Sequence, residues 1–166
     1  MLSRLPWFMR GSLMRAGLMR VGLMVAGLMA LCLFVTGNAL AQTAQNEVSA
    51  ADAYALLQDG DITLIDIRRP EEWRQTGVAQ GATRINMVHP KGLQGFAQEV
   101  YNSVNGDLDA PIVLICRTGS RTSRIQPILK QVGFTNVRHI PEGTLGNRST
   151  PGWIAQGLPI DPCKDC

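Results

Sequence analysis

The sequence lacks acidic residues throughout its first quarter. Residues 1–41 contain four arginines and no aspartate or glutamate, whereas residues 42–166 contain 12 Lys+Arg and 13 Asp+Glu. The formal net charge of +3 therefore comes from the N-terminal segment, and the rest of the chain carries a net charge of −1. A nucleic-acid-binding domain would have a basic patch in its folded part, so this distribution argues against a nucleic-acid partner. A content of 45% hydrophobic residues with nearly balanced charge also argues against disorder.

The N-terminal segment also lacks an uncharged run long enough to span a bilayer. The charge-free apolar run covers 21–36, which is 16 residues, whereas a spanning helix needs about 20. A basic region precedes this run, and Ala39 and Ala41 follow it at the −3 and −1 positions of a cleavage site. This order is typical of a secretory signal peptide over residues 1–41, cleaved after Ala41. Residues 1–41 contain no Arg-Arg pair, which favours general export over twin-arginine export. We therefore predict a periplasmic or secreted protein that contacts a membrane only through an uncleaved leader.

Helical and strand patterns alternate in the rest of the chain. Strand patterns cover 62–67, 81–87, 111–116 and 137–140, and helical patterns cover 50–58, a short segment from Pro70, 93–104 and 120–131. This alternation predicts an α/β domain with a parallel sheet. Pro127 lies inside the last predicted helix and should kink it, because proline removes a backbone donor.

A cysteine stands at the end of the most apolar predicted strand. Cys116 is followed by a short loop and a helix start, with the sequence Arg117, Thr118, Gly119, Ser120, Arg121. Ligands of parallel sheets bind beyond the carboxyl ends of the strands. Successive loop N–H groups and the positive helix terminus favour an anion there. We therefore predict that Cys116 is a reactive thiolate.

The residues around this cysteine suit an anionic substrate. Arg117 and Arg121 supply positive charge for a dianion, and Gly119 allows the backbone to curl. Thr118 and Ser120 can donate hydroxyl hydrogen bonds to the sulfur or cap the helix. A buried structural cysteine is the alternative, but such a cysteine rarely precedes this combination of residues.

The loop and three further segments resemble the rhodanese (sulfurtransferase) domain. Residues 116–121 are similar to the active-site loop of that family. Residues 66–73 are similar to its Asp-x-Arg-x-x-x-Glu-aromatic segment, and residues 77–82 to its Gly-His-Ile-Pro-Gly-Ala segment, with Val78 in place of histidine. Trp153 and residues 157–160 are similar to its closing Trp and Gly-Leu-Pro-Val. The resemblance covers about 47–160. It implies a rhodanese-like domain over 42–160, with three layers and a central, mostly parallel five-stranded sheet flanked by helices, followed by a tail over 161–166.

The resemblance also implies sulfur transfer. The Cys116 thiolate would attack the outer sulfur of a small anionic donor such as thiosulfate, giving a Cys116 persulfide and sulfite. A thiol, cyanide or a partner protein would then accept the sulfur, and Arg117 and Arg121 would bind the donor. No cofactor and no metal is implied. Two alternatives remain: a non-enzymatic carrier or protein-binding module, and a Cys-dependent phosphatase or arsenate reductase, whose loops are one residue longer than this Cys-x4-Arg.

The other polar and aromatic candidates are expected to have structural rather than catalytic roles. Asp66 and Arg68 are expected to form a structural ion pair that braces the site. The remaining candidates are interpreted as helix-start acids (Glu71, Glu72), as histidines without a catalytic role (His89, His139) and as packing tryptophans (Trp73, Trp153).

The tail ends in a Cys-x-x-Cys pair. Cys163 and Cys166 can form a disulfide in an oxidising compartment. The alternative is a dithiol that accepts sulfur from Cys116. One such pair is too few for a four-ligand zinc site.

Overall fold

The computed structural model describes residues 46–166, so the predicted signal peptide lies outside the described residues. These residues belong to one compact unit. None of the helices within 46–166 is both long and apolar enough to cross a membrane.

The described residues form four helices and six strands. In chain order they are α1 (Ala50–Gln58), β1 (Thr63–Asp66), α2 (Pro70–Thr76), β2 (Val78–Ala79), β3 (Thr83–Arg84), α3 (Gly92–Ser103), β4 (Ile112–Ile115), α4 (Ser120–Gln131), β5 (Val137–His139) and β6 (Ile160–Asp161). The predicted helices are confirmed to within a residue or so, but the strand predicted over 81–87 is only two residues long.

The main sheet has four parallel strands in the order β3-β1-β4-β5. Glu47 forms a parallel bridge with His139, and the Val48 N–H donates to the His139 carbonyl at 3.0 Å. The main sheet has four strands, and the segment at Glu47 makes only a single bridge to it and is not a strand. The predicted count of five is reached when this segment is counted as the fifth. The predicted α/β architecture with a parallel sheet is confirmed.

A second, two-stranded sheet was not predicted. β2 pairs antiparallel with β6, with Val78 opposite Asp161 and Ala79 opposite Ile160. Each strand has two residues, which is too short for a period-two pattern to be recognised. This pairing holds the end of the domain against the segment that follows α2.

The core lies on both faces of the main sheet, because successive strand residues point to opposite sides. One cluster joins Ile65, Leu114 and Cys116 to α3 and α4. The other joins Leu64, Val113 and Ile115 to α1 and Trp153. All four residues of β4 are buried, which agrees with its unbroken apolar sequence.

Local signals explain where the helices begin. The Ser49 side chain accepts a hydrogen bond from the Asp52 N–H at the start of α1. In α2, the Glu72 carboxylate accepts a hydrogen bond from the Arg69 N–H at 3.0 Å. Helix α4 continues through Pro127. Pro127 is exposed, so water can satisfy the carbonyl that its missing N–H leaves without a partner.

Candidate active site around Cys116

The candidate site is the loop between β4 and α4. Cys116 directly follows the last residue of β4, and α4 begins at Ser120. Between them Gly119 adopts a left-handed conformation with φ 81°. The loop thus lies at the carboxyl edge of the sheet, where the sequence placed it.

A neighbouring segment fixes the backbone of this loop. The Thr144 N–H donates to the Cys116 carbonyl at 2.8 Å, and the Leu145 N–H donates to the Arg117 carbonyl at 2.9 Å. The Thr144 hydroxyl donates to the Cys116 carbonyl as well, at 3.2 Å. The chain after β5 therefore holds the loop in one backbone conformation.

Gly119 is required at its position for two separate reasons, and this gives a testable prediction. Its φ is positive, and a Cβ would overlap the Pro141 carbonyl oxygen. Gly60 has nearly the same φ of 79° but has open space around it. We expect Gly60→Ala to cost about 1–2 kcal/mol of unfolding free energy from backbone strain alone, and Gly119→Ala to cost a further ~1–3 kcal/mol from the steric overlap.

Urea unfolding of both variants measures this difference. Since the two substitutions share the backbone strain, their difference isolates the contact with Pro141. Equal losses would show that the loop and the chain after β5 can separate at little cost.

Cys116 is fully buried, with a relative exposure of 0%. Its Sγ lies 3.7 Å from the Oγ1 of Thr122, the third residue of α4. Thr118 and Ser120, the hydroxyl residues proposed for this contact, lie 3.5 Å from each other through their side-chain oxygens. Gly119, the residue before α4, offers no side-chain cap, and neither hydroxyl caps the helix. The hydroxyl at the sulfur is therefore that of Thr122, which sequence reasoning missed.

Thr122 connects the cysteine to a buried histidine. Its hydroxyl donates to the Gly119 carbonyl at 2.8 Å and lies 3.2 Å from the His139 Nδ1. The His139 Nε2 in turn lies 3.8 Å from a Glu47 carboxylate oxygen. Burial lowers the pKa of His139, and the opposing effects of Glu47, the Ile140 backbone and Glu142 are smaller. Burial therefore favours the neutral form of the imidazole, which lies beside the Thr122 hydroxyl.

Arg121 is held by an acid on α2. Its two guanidinium nitrogens lie 2.7 and 2.5 Å from the two Glu72 carboxylate oxygens. Partial burial favours the neutral form of Glu72, but hydrogen bonds from Arg121 and the Arg69 N–H outweigh it and lower the pKa of Glu72. The hydrogen bonds to Glu72 also raise the pKa of Arg121. Glu72 is therefore more than a helix-start acid, because it largely neutralises one of the two loop arginines.

Arg117 has a different environment. Its side chain is exposed. Within residues 46–166, no hydrogen bond or ion pair involves its guanidinium. It lines a cavity of about 360 Å³ together with Arg69, Glu71, Glu72, Gln75 and Arg121. The uncompensated positive charge of the loop is thus that of Arg117.

Asp66 and Arg68 form the ion pair expected from the sequence. The Arg68 Nε and Nη2 donate to both Asp66 oxygens at 2.6–2.9 Å, and the side chains are 1% and 0% exposed. Arg68 also donates to the Thr76 hydroxyl and the Gly77 carbonyl, each at 2.7 Å. The guanidinium thereby joins the end of β1 to the end of α2, the helix that carries Glu72.

The other candidate residues lie apart from the cysteine. His89 pairs with Glu99 through an Nε2–Oε1 distance of 3.2 Å. Trp73 and Trp153 are buried, and Trp153 packs edge-on against Tyr54. Cys163 and Cys166 form a disulfide. Across 46–166, no group of three or more His, Cys, Asp or Glu side chains could hold a metal ion.

Comparisons with known proteins match most of the described chain. A model of the rhodanese-like domain matches residues 49–146. An uncharacterized protein of Rickettsia prowazekii is 26% identical over 117 residues, which are 69% of this chain and 95% of that protein. The thiosulfate sulfurtransferase GlpE of Pseudomonas entomophila is 33% identical over 111 residues, which are 66% of this chain and 92% of that protein.

A solved structure shares both the fold and part of the sequence. The solution structure of the polysulfide-sulfur transferase homodimer from Wolinella succinogenes matches with a TM-score of 0.50 and 26% identity, covering 78% of this chain and 88% of that chain. The residues matched by the domain model include the β4–α4 loop, Glu72 and His139, but not the Cys-x-x-Cys pair.

Proposed function

This chain belongs to the rhodanese-like domain family, and on that premise we propose that it is a sulfurtransferase that carries sulfane sulfur from thiosulfate to a thiophilic acceptor as a Cys116 persulfide. The single observation that carries the proposal is the placement of Cys116. It is the one free cysteine of the described residues, and it stands at the carboxyl edge of the sheet in a loop with two arginines. The similarity to a thiosulfate sulfurtransferase supports the choice of donor.

The first half-reaction loads the cysteine. The Cys116 thiolate attacks the outer sulfur of thiosulfate, the sulfur–sulfur bond of the donor breaks, and sulfite leaves with the bonding electron pair. Cys116 is then a persulfide anion, placed where loop N–H groups and the start of α4 favour negative charge. No general base has to act in this step when the cysteine is already ionised.

The second half-reaction transfers the sulfur from the Cys116 persulfide to the acceptor. A thiolate or cyanide attacks the terminal sulfur of the persulfide, and Cys116 leaves as a thiolate. The products are an acceptor persulfide or thiocyanate and the original enzyme. The full burial of Cys116 keeps bulk water from the persulfide between the two steps.

Charge around the loop supports a small dianionic donor. Arg121 is largely neutralised by Glu72, so Arg117 provides the main attraction for thiosulfate. The residues that line the cavity beside Arg117 do not include Cys116. We therefore expect the loop side chains to move when the donor reaches the sulfur.

Mass spectrometry of the treated protein tests this function directly. Incubation with thiosulfate should add one sulfur atom to the peptide that contains Cys116, and added cyanide should remove it and release thiocyanate. A folded protein that gains no sulfur on Cys116 would refute the proposal. If Cys116 gains sulfur that neither cyanide nor a small thiol removes, a carrier that delivers sulfur to a partner protein would be favoured.

We also propose that the protein acts in the periplasm or outside the cell. The basic start, the apolar run and the site after Ala41 support export. The Cys163 and Cys166 pair also suits export, because such a pair can form a disulfide that persists in an oxidising compartment. N-terminal sequencing of the protein from its host tests the proposal, and a chain that still begins at Met1 would contradict cleavage.

A further inference from the structure

The Cys-x-x-Cys pair lies against a positively charged side chain from the main sheet. The Arg84 Nη1, at the end of β3, lies 2.7 Å from the Sγ of Cys163 and 2.7 Å from the Sγ of Cys166. The β2–β6 pairing fixes Asp161, two residues before Cys163. The Arg74 guanidinium donates to the Cys166 carbonyl on the other side. The pair is thus held at a defined place on the domain.

The Arg84 guanidinium interacts differently with the oxidised and the reduced form of the Cys163–Cys166 pair. An intact disulfide carries no net charge, whereas a reduced cysteine can be a thiolate. A positive charge in contact with the sulfurs therefore stabilises the reduced form more than the oxidised form. A thiolate stabilised in this way is also a better leaving group when the disulfide is attacked.

The disulfide is accessible and its contribution to holding the fold is small. Both cysteines are half-buried rather than buried. A cavity of about 300 Å³ beside Cys163 is lined by Arg84, Asp161 and Pro162, with small side chains from 78–82. The bond joins residues only three apart in the chain, and closing so short a loop restricts the unfolded chain less than closing a long one.

From these contacts we infer that Cys163 and Cys166 are a redox-active disulfide that exchanges with an external dithiol, with Arg84 as the counter-ion of the thiolate that is released. One thiolate of the dithiol attacks the Cys163 sulfur from the cavity. The Cys163–Cys166 bond breaks, and Cys166 leaves as a thiolate beside Arg84. The second thiol of the reagent then attacks the mixed disulfide and frees Cys163. Two electrons pass to the tail, and the reagent becomes a disulfide.

Redox titration of the full chain tests this assignment. The protein is equilibrated in glutathione buffers, thiols are trapped by alkylation, and the reduced fraction of the tail is read by mass spectrometry. Arg84→Gln should make the tail about tenfold harder to reduce, which for a two-electron couple is about 30 mV. The rate of reduction by dithiothreitol should fall by a similar factor. Arg124→Gln, which removes an exposed arginine from α4, should change neither value.

A further readout separates a charge effect from a change in packing. In the reduced protein, the pH at which half of the tail thiols react with iodoacetamide should rise in Arg84→Gln and return toward the original value in Arg84→Lys. The inference is overturned if the tail is as easily reduced in Arg84→Gln as in Arg124→Gln. It is also overturned if the disulfide stays oxidised in buffers that reduce ordinary exposed disulfides. Because the titration does not involve thiosulfate or Cys116, its outcome is independent of the proposed sulfur transfer.

Discussion

Cys116→Ser is expected to lower the rate of thiocyanate formation from thiosulfate and cyanide by at least about a thousandfold. A serine hydroxyl is not ionised near neutral pH, and its oxygen cannot carry sulfane sulfur as a persulfide. The substitution changes one buried atom, so the fold should persist. Steady-state rates at saturating thiosulfate measure the effect.

The control for this prediction is Ser123→Ala. Ser123 is exposed on α4, three residues beyond the start of the helix, and its hydroxyl donates to the Ser120 carbonyl. We expect its turnover to stay within about twofold of the original protein, since surface changes of this kind have small effects. Retention of turnover within tenfold in Cys116→Ser would show that another group is the nucleophile.

Arg68→Met is expected to lower the free energy of unfolding by about 3–5 kcal/mol. The substitution leaves the Asp66 carboxylate buried without its counter-ion and leaves the Gly77 carbonyl without its donor. A buried charge without a partner costs far more than an exposed ion pair contributes. Urea unfolding at neutral pH measures the loss.

The adjacent residue supplies a matched control. Arg69 has a side chain that is 56% exposed, and its ion pair with Glu71 has an N–O distance of 3.7 Å. Arg69→Met should therefore change the unfolding free energy by no more than about 0.5 kcal/mol. If Arg68→Met alone unfolds the protein, the double variant Asp66→Asn/Arg68→Met should recover part of the loss, because no buried carboxylate then remains. Similar losses in Arg68→Met and Arg69→Met would show that the buried pair does not stabilise the domain.

Features that depend on short stretches of chain were predicted well. The helices over 120–131 and 50–58 agree with α4 and α1 to the residue. Cys116 was predicted as the last residue of the strand over 111–116, and it directly follows the observed strand Ile112–Ile115. These features follow from backbone propensities, caps and apolar runs, which act within one turn or one strand.

Features that join distant segments were missed. β2 and β6 are two residues each, and they pair across about 80 residues of chain. Glu72 and Arg121 are 49 residues apart, and Thr122 and His139 are 17 apart. A single sequence contains no pattern that indicates which acid pairs with which arginine. From the sequence, Glu72 could be recognised only as an acid at the start of a helix.

The sequence by itself determined the chemistry of the site: one cysteine after an apolar strand, followed by a short loop with two arginines and a helix start. Only the tertiary structure decided how these groups differ. Arg121 is held by Glu72 while Arg117 stays exposed, and Cys116 is fully buried beside Thr122. The physical reason is that the type of a side chain is set at its own position in the sequence. Its burial and its counter-ion are set by whichever distant segments pack against it.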